Sequence, residues 1–164
     1  MPKSWTDPEL SRSTLVRMLN DWWGSNCGAS GIPDRADFDI VAHKDLITNL
    51  LISDVETDPF RIRYRLVGTR IVRNLGAEFT GLYLDELIGP DYPTPWMDYY
   101  RAAYQDRRPL LGETTEPVRS GGTLTYEFGI FPVTLKADGA VKQFLAVEDY
   151  FGYEPTSASL AGLL

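Results

Sequence analysis

The sequence contains a single cysteine, Cys27, and a single histidine, His43, among 164 residues. One cysteine excludes a disulfide within the chain, and one cysteine with one histidine cannot supply the four ligands of a structural zinc site. A Cys–His nucleophile pair would require the two side chains to meet in space, yet Cys27 stands in a loop rich in Gly, Ser and Asn. We therefore predict no metal site and no cysteine-based catalysis.

Long apolar runs and excess positive charge are also missing. No run approaches 18 apolar residues, and the opening MPKSWTDPEL lacks the apolar segment of a signal peptide. A formal net charge of −7 disfavours nucleic acid or an anionic membrane as a partner. These absences predict a cytoplasmic protein with no membrane or nucleic-acid partner.

The length favours one domain over residues 1–164, with an N-terminal helix over about 8–23, a core over about 46–152 and a short tail over 153–164. Asp7 is the predicted cap of the helix, and Pro8 suits its first position. A wide apolar arc of this helix must be buried against the domain, a partner or both. The arc comprises Leu15, Val16, Met18, Leu19, Trp22 and Trp23.

Two strands, LLISDVE and FRIRYRLVG, are predicted to form a hairpin around Asp58 and Pro59. An even-length loop places acids of the first strand opposite arginines of the second. With a two-residue loop, the predicted opposite residues are Glu56 with Arg63 and Asp54 with Arg65. This pairing interprets the arginine cluster at 61–73 as a solvated face with ion pairs rather than a basic binding site.

The outer face of the hairpin becomes apolar away from the turn, at Leu50, Ile52 and Val67. Something must cover that end, and the helix with two tryptophans is the obvious candidate. Further along, the pattern predicts short helices, a longer helix over 95–108 capped by Thr94, and three strands. Strands separated from strands by a helical block indicate an α+β fold, with an antiparallel sheet and helices on one face.

Nearly the whole chain, residues 14–152, resembles the PAS domain family. The run RYRLVGTRIVRNLGAEFTGLYLDEL is similar to the PAS pattern of a strand, short helices and a G-x-x-x-x-E-L segment. The run EPVRSGGTLTYEFGIFPVTLKADGAVKQFLAVEDYF is similar to the last three PAS strands with their DG hairpin. The upstream WWGSNCGASGIPDRADFD and LLISDVE resemble the leader of a divergent alphaproteobacterial PAS group.

The resemblance implies a five-stranded antiparallel sheet in the order 2-1-5-4-3, with a cavity between its inner face and the helices. It also implies a bacterial sensory or interaction module that binds small molecules or proteins and commonly dimerises through an N-terminal helix on the outer sheet face. The implied dimer or partner face consists of Leu15, Met18, Leu19, Trp22, Leu50 and Ile52.

The residues do not favour flavin or haem, and the ligand stays unknown. Flavin-photosensing PAS domains carry N-C-R-F in the helices after the second strand, whereas Cys27 precedes the first strand and lacks the following R-F. Haem-binding PAS domains usually use a histidine on or near the long helix. The helix over 95–108 has none, and His43 precedes the sheet.

Aromatic residues are concentrated between residues 79 and 104 and at inward strand positions. Two interpretations remain open: the rings fill the core, or they line a pocket in which tyrosine hydroxyls orient a ligand. The candidate pocket residues are Tyr64, Leu66, Phe79, Tyr83, Trp96, Tyr100, Tyr104, Tyr126 and Phe128.

Three functions are compatible with the sequence. The first is a stand-alone, non-enzymatic sensory module, which we expect to signal through a homodimer or a partner because no output domain follows its last strand. The second is a protein-interaction module with a filled core. The third is a small enzyme that uses Glu127 or Glu148 as an acid–base group tuned by burial, although neither stands in a recognisable catalytic spacing.

Overall fold

A computed structural model of the protein describes residues 3–88, 95–117, 121–136 and 138–154. Most of the predicted tail, and Thr94 as the predicted cap of the long helix, lie outside these residues. The helices are α1 (Thr14–Ser25), α2 (Thr69–Leu75), α3 (Leu84–Leu87) and α4 (Trp96–Asp106). The strands are β1 (Lys3–Trp5), β2 (Leu50–Glu56), β3 (Arg61–Val67), β4 (Leu110–Pro117), β5 (Thr123–Val133) and β6 (Gln143–Glu154).

The strands form one antiparallel sheet in the order β1-β4-β5-β6-β2-β3. The predicted α+β class is confirmed, and β3-β2-β6-β5-β4 reproduces the order expected of the five strands. The predicted strand count was wrong, because β1 adds a sixth strand at the β4 edge. A Cβ at Gly112 would lie 2.4 Å from the carbonyl oxygen of Lys3, so glycine at this position allows β1 to approach closely.

The sheet is buried on both faces. The inner face packs against α2, α3 and α4, and the outer face packs against α1. In the outer cluster, Val16, Leu19 and Trp22 of α1 are grouped with strand residues that include Leu50 and Ile52. The helix with two tryptophans is therefore buried against the outer face of its own sheet, mainly on β5 and β6.

Helix α1 begins later than predicted. Asp7 accepts a hydrogen bond from the Glu9 amide at 3.0 Å, but this caps a separate 3-10 turn, Pro8–Leu10. The N-cap of α1 is Ser13, whose hydroxyl oxygen accepts from the Val16 amide at 3.0 Å. A distant strand fixes this start, because the Ser13 amide donates to the Glu127 carboxylate at 3.0 Å.

The β2–β3 hairpin has a four-residue turn over 57–60 instead of the predicted two-residue loop. Because both lengths are even, acids still face arginines, but Glu56 lies opposite Arg61 and Asp54 opposite Arg63. Asp54 nevertheless forms its side-chain ion pair diagonally, with Arg65. The predicted register was therefore wrong by two residues, while its charge pattern was right.

A break in the β2–β3 register reverses the faces of the sheet to which the last side chains of β3 point. Tyr64 lies opposite Ser53 and Leu66 opposite Ile52, which leaves Arg65 as an extra residue. Such a bulge turns the following side chains to the other face of the sheet. Leu66 consequently packs in the outer cluster and Val67 in the inner one, the reverse of the predicted alternation.

Candidate functional site

A cavity of about 550 Å³, partly open to solvent, lies between the inner face of the sheet and the helices. Strand residues form one side of it, and α2, α3, α4 and the segment after α2 form the other. Most of its wall is apolar, with polar groups from three tyrosines, one tryptophan and two glutamates. These polar residues are Tyr64, Tyr100, Tyr126, Trp96, Glu116 and Glu148.

Six of the nine predicted pocket residues line the cavity: Tyr64, Phe79, Trp96, Tyr100, Tyr126 and Phe128. The regular alternation of β5 brings Tyr126 and Phe128 to the inner face, as its sequence predicts. Helix α4 contributes Trp96 and Tyr100 one turn apart. The structure thus brings together residues from two strands, a helix and a loop.

The other three predicted pocket residues do not line the cavity. Leu66 faces away because of the bulge in β3. Tyr104 packs against Phe60, with ring centroids 5.3 Å apart. Tyr83 lies nearer the surface, where its hydroxyl donates to Glu56 at 2.8 Å and the guanidinium of Arg61 lies 3.6 Å from its ring centroid.

Glu148 is the main polar group of the cavity, and it stands on the inner face of β6 opposite Phe128. The Tyr150 hydroxyl donates to its Oε2. Burial raises the pKa of Glu148 to about 8, and the nearby Glu116 carboxylate adds to this shift. The sequence analysis considered Glu148 only as an acid–base candidate. However, Phe144 and Ala146 lie four and two positions before it, so the alternation of the strand indicates that all three side chains point to the inner face.

Sequence reasoning missed Glu116, the second acid of the cavity. The indole Nε1 of Trp96 donates to its Oε1 at 2.8 Å. Burial raises the pKa of this carboxyl, while its hydrogen bonds with Tyr126 and Trp96 lower it. The strand sequence LGETTEP has no apolar alternation, so no local signal indicates that Glu116 faces the interior.

The three cavity tyrosines are neutral hydrogen-bonding groups. Burial raises the pKa of Tyr64, Tyr100 and Tyr126 well above that of a free phenol. Their positions are fixed by ring packing, with Tyr64 against Phe79 at 4.9 Å and Tyr100 against Phe144 at 5.1 Å between centroids. The cavity can therefore offer phenol hydroxyls that stay protonated over the physiological range.

Cys27 and His43 are not among the residues that line the cavity. The Cys27 thiol donates to the Trp23 carbonyl at 3.1 Å, and burial raises its pKa. The His43 ring stacks on Phe38 at 4.8 Å between centroids. Over the described ranges, no three His, Cys, Asp or Glu side chains are grouped closely enough to hold a metal ion. In the same part of the chain, no helix has the length and apolar character needed to span a membrane.

The predicted dimer face is largely buried inside this chain. Leu19, Trp22, Leu50 and Ile52 are 0%, 7%, 1% and 5% exposed, because α1 packs directly on the sheet. These four side chains are therefore not available to a second copy, and only Leu15 and Met18 are half-buried. The predicted dimer face was wrong for these four residues because the apolar stripe of α1 is buried against the sheet of its own chain.

No family model and no curated protein matches this chain, but solved structures of light-oxygen-voltage proteins resemble it. An RNA-binding light-oxygen-voltage receptor is 16% identical with a TM-score of 0.55, over 92% of this chain and 39% of the receptor. The chain thus spans about two fifths of that receptor's length.

Two further structures show the same likeness. A light-oxygen-voltage domain described with a flavin analogue is 18% identical with a TM-score of 0.55, over 77% of this chain and 93% of its own. A Rhodobacter sphaeroides light-oxygen-voltage protein is 17% identical with a TM-score of 0.50, over 70% and 69%. The chain therefore has the fold of these light-oxygen-voltage proteins.

Proposed function

We propose that this protein is a PAS-type sensory module that binds a small organic molecule in the cavity and passes the signal to a partner or a second copy. The observation that carries the proposal is the cavity itself. Its volume of about 550 Å³ lies within the range of roughly 300–1,000 Å³ that is usual for small-molecule pockets. A few polar groups interrupt its apolar wall, which is also typical of such pockets.

The volume argues against the alternative of a core filled by aromatic rings. At roughly 24 cal/mol per Å³, a dry cavity of this size would cost about 13 kcal/mol, comparable to the stability of a whole domain. Water or a ligand must therefore occupy it, and the partly open wall gives either of them access. The aromatic side chains line this space rather than fill it.

The two acids considered for an enzyme lie on opposite faces of the sheet. Glu127 is on the outer face, where it accepts hydrogen bonds from Ser11 and Ser13 at the start of α1. Of these two, only Glu148 lines the cavity, together with Glu116. A binding role requires no recognisable catalytic spacing of these carboxyls, so we favour a sensor over an enzyme.

The strands offer a route for the signal. In β2, Leu51 lines the cavity while its neighbours Leu50 and Ile52 belong to the outer cluster, which also contains α1. In β6, Ala146 lines the cavity while Leu145 packs in the cluster that α1 covers. A ligand that shifts these strands would change the position of α1 on the sheet. We propose that a partner or a second copy binds α1 and responds to this change.

Native mass spectrometry of the purified protein tests the proposal. We expect an additional non-covalent mass on the folded chain. Ala146→Leu should lower its occupancy at least tenfold, because Ala146 lines the cavity and the larger side chain occupies ligand space.

The matched control is Ala140→Leu, the same substitution at an exposed position, which should keep full occupancy. A chain that carries no additional mass, and binds no small molecule from a screened set, would contradict the proposal. Equal occupancy in the two variants would place the ligand outside the cavity.

A further inference from the structure

Resting on the proposed function, we propose that the cavity selects an organic cation, namely a primary amine with an aromatic or apolar body. The first observation is the charge of the wall. Two carboxyl groups, Glu116 and Glu148, line the cavity, and none of its described lining residues is Lys, Arg or His. An anionic ligand would meet like charge there, whereas an ammonium would supply the missing opposite charge.

The hydrogen bonds of the two carboxyls support this reading. The Tyr150 hydroxyl donates to Glu148, and the Trp96 indole donates to Glu116. Both donors are neutral, and neither acid forms an ion pair with another side chain of the described ranges. Buried ionised carboxylates are normally paired with a cation. Within the described ranges these two acids lack one, and burial raises the pKa of both instead.

Aromatic rings complete the site for a cation. Tyr126, Trp96 and Phe128 lie beside the carboxyls, with Trp96 packed edge-to-face on Phe128 at 4.7 Å and parallel to Tyr126 at 6.4 Å. The electron-rich faces of such rings attract ammonium groups, most strongly where water is excluded. The same rings provide the apolar surface that the body of the amine would cover.

The groups around Glu148 indicate a pH dependence. Glu148 is faced by Tyr150 on its own strand, Glu116 of β4, Tyr126 of β5, Tyr64 of β3 and Tyr100 of α4. Arg70 of α2 acts on Tyr150 and does not line the cavity. An ammonium in the cavity would therefore bring a positive charge to a wall whose described lining residues include no cation.

This arrangement couples amine binding to proton release. The Glu148 pKa of about 8 means that the carboxyl is mostly protonated at pH 7. A bound ammonium favours the ionised form and expels that proton. Affinity should therefore rise by up to tenfold per unit between about pH 6 and 8, and level off above, since alkylammonium groups lose their own proton only near pH ~10.

Isothermal titration calorimetry on the full chain, stripped of any co-purified ligand, tests the inference with 2-phenylethylamine, 2-phenylethanol and phenylacetate. These probes share one body and carry positive, zero and negative charge. We expect the amine to bind at least tenfold more tightly than the alcohol at pH 8, with phenylacetate weakest. At pH 7, titrations in two buffers of different ionisation enthalpy should show release of close to one proton.

Glu148→Gln should remove the proton release and most of the preference for the amine. Glu9→Gln, which neutralises an exposed acid in the 3-10 turn, should change neither. The inference is overturned if the alcohol or phenylacetate binds as tightly as the amine, or if none of the three binds. Neither result would contradict the proposed function, which is tested independently by the additional mass on the purified chain and by the loss of that mass in Ala146→Leu.

Discussion

At the scale of single residues, Glu148 shows how burial changes the chemistry of an ordinary side chain. Phe144 and Ala146, which precede it on the inner face of the strand, are apolar, and burial disfavours its negative charge. The result is a carboxyl that holds its proton near neutral pH. Sequence alternation indicates that Glu148 points inward, but only the packed structure shows that an acidic group, Glu116, stands nearby.

We predict that Glu148 makes the protein less stable as the pH rises. Its folded pKa of about 8 exceeds the unfolded value near ~4.3, so the folded state binds more protons between these pH values. Stability should fall over this window, and the Glu148→Gln variant should lack the effect. When the pH is raised from 5 to 8.5, the free energy of unfolding of the wild type should fall by about 2–4 kcal/mol more than that of the variant.

Urea denaturation of both proteins at the two pH values measures this difference. Glu9→Gln is again the control, because it removes an exposed carboxylate without changing the cavity. Parallel pH dependences for wild type and Glu148→Gln would show that Glu148 ionises normally in the folded protein.

At the scale of elements, a strand residue decides where α1 begins. The carboxylate of Glu127, only 2% exposed, accepts from the Ser11 hydroxyl at 2.5 Å and from the amides of Arg12 and Ser13 at 3.2 and 3.0 Å. These bonds hold the chain extended up to Ser13, so the helix cannot start at Asp7. The predicted cap, Asp7, caps only the 3-10 turn, and a contact from β5 places the start of α1 at Ser13.

We predict that Glu127→Ala lowers the free energy of unfolding by about 2–4 kcal/mol, because three donors lose a buried, charged acceptor. Asp149→Ala should cost only about 1 kcal/mol, since among the described residues Asp149 accepts one hydrogen bond, from the Ser13 hydroxyl at 2.7 Å. Urea denaturation of the two variants measures the difference. Equal losses would mean that Glu127 does not anchor α1.

The β2–β3 hairpin shows the same limit of local patterns. The even loop and the facing acids and arginines follow from the order of charges along two strands. The bulge at Arg65 leaves no mark in the alternation of RYRLV, because Leu66 and Val67 are both apolar and either can face inward. Pairing with a neighbouring strand decides this register, so Leu66 could not be excluded from the pocket beforehand.

At the scale of the whole molecule, the position of α1 determines which surfaces remain for a partner. Trp22 packs edge-to-face on Phe38 at 4.9 Å in the core of this chain. A substitution there would test the stability of the fold rather than a dimer. Leu15 and Met18, half-buried on the same helix, are the members of the predicted face that a second copy can still reach.

We predict that Trp22→Glu lowers the free energy of unfolding by about 3–5 kcal/mol at any protein concentration, because it places a charge in the core. Met18→Glu should cost less than about 1 kcal/mol at its half-buried position and, if α1 forms the proposed dimer contact, should convert a dimer to a monomer. Light scattering over a dilution series, with chemical denaturation, separates the two effects. A Met18→Glu protein with unchanged mass would rule out this contact.

The amino-acid sequence by itself determined the α+β class, the apolar stripe of α1 and the inward alternation of β5. These depend on local periodicity and turn residues, which act over a few neighbouring positions. The order of five strands came from the resemblance to PAS domains and not from these local patterns. Only the tertiary structure decided the sixth strand, the start of α1, the bulge in β3 and the pairing of Glu116 with Glu148 in one cavity. Each of these is set by contacts between residues far apart in the chain, where packing and desolvation outweigh local preference.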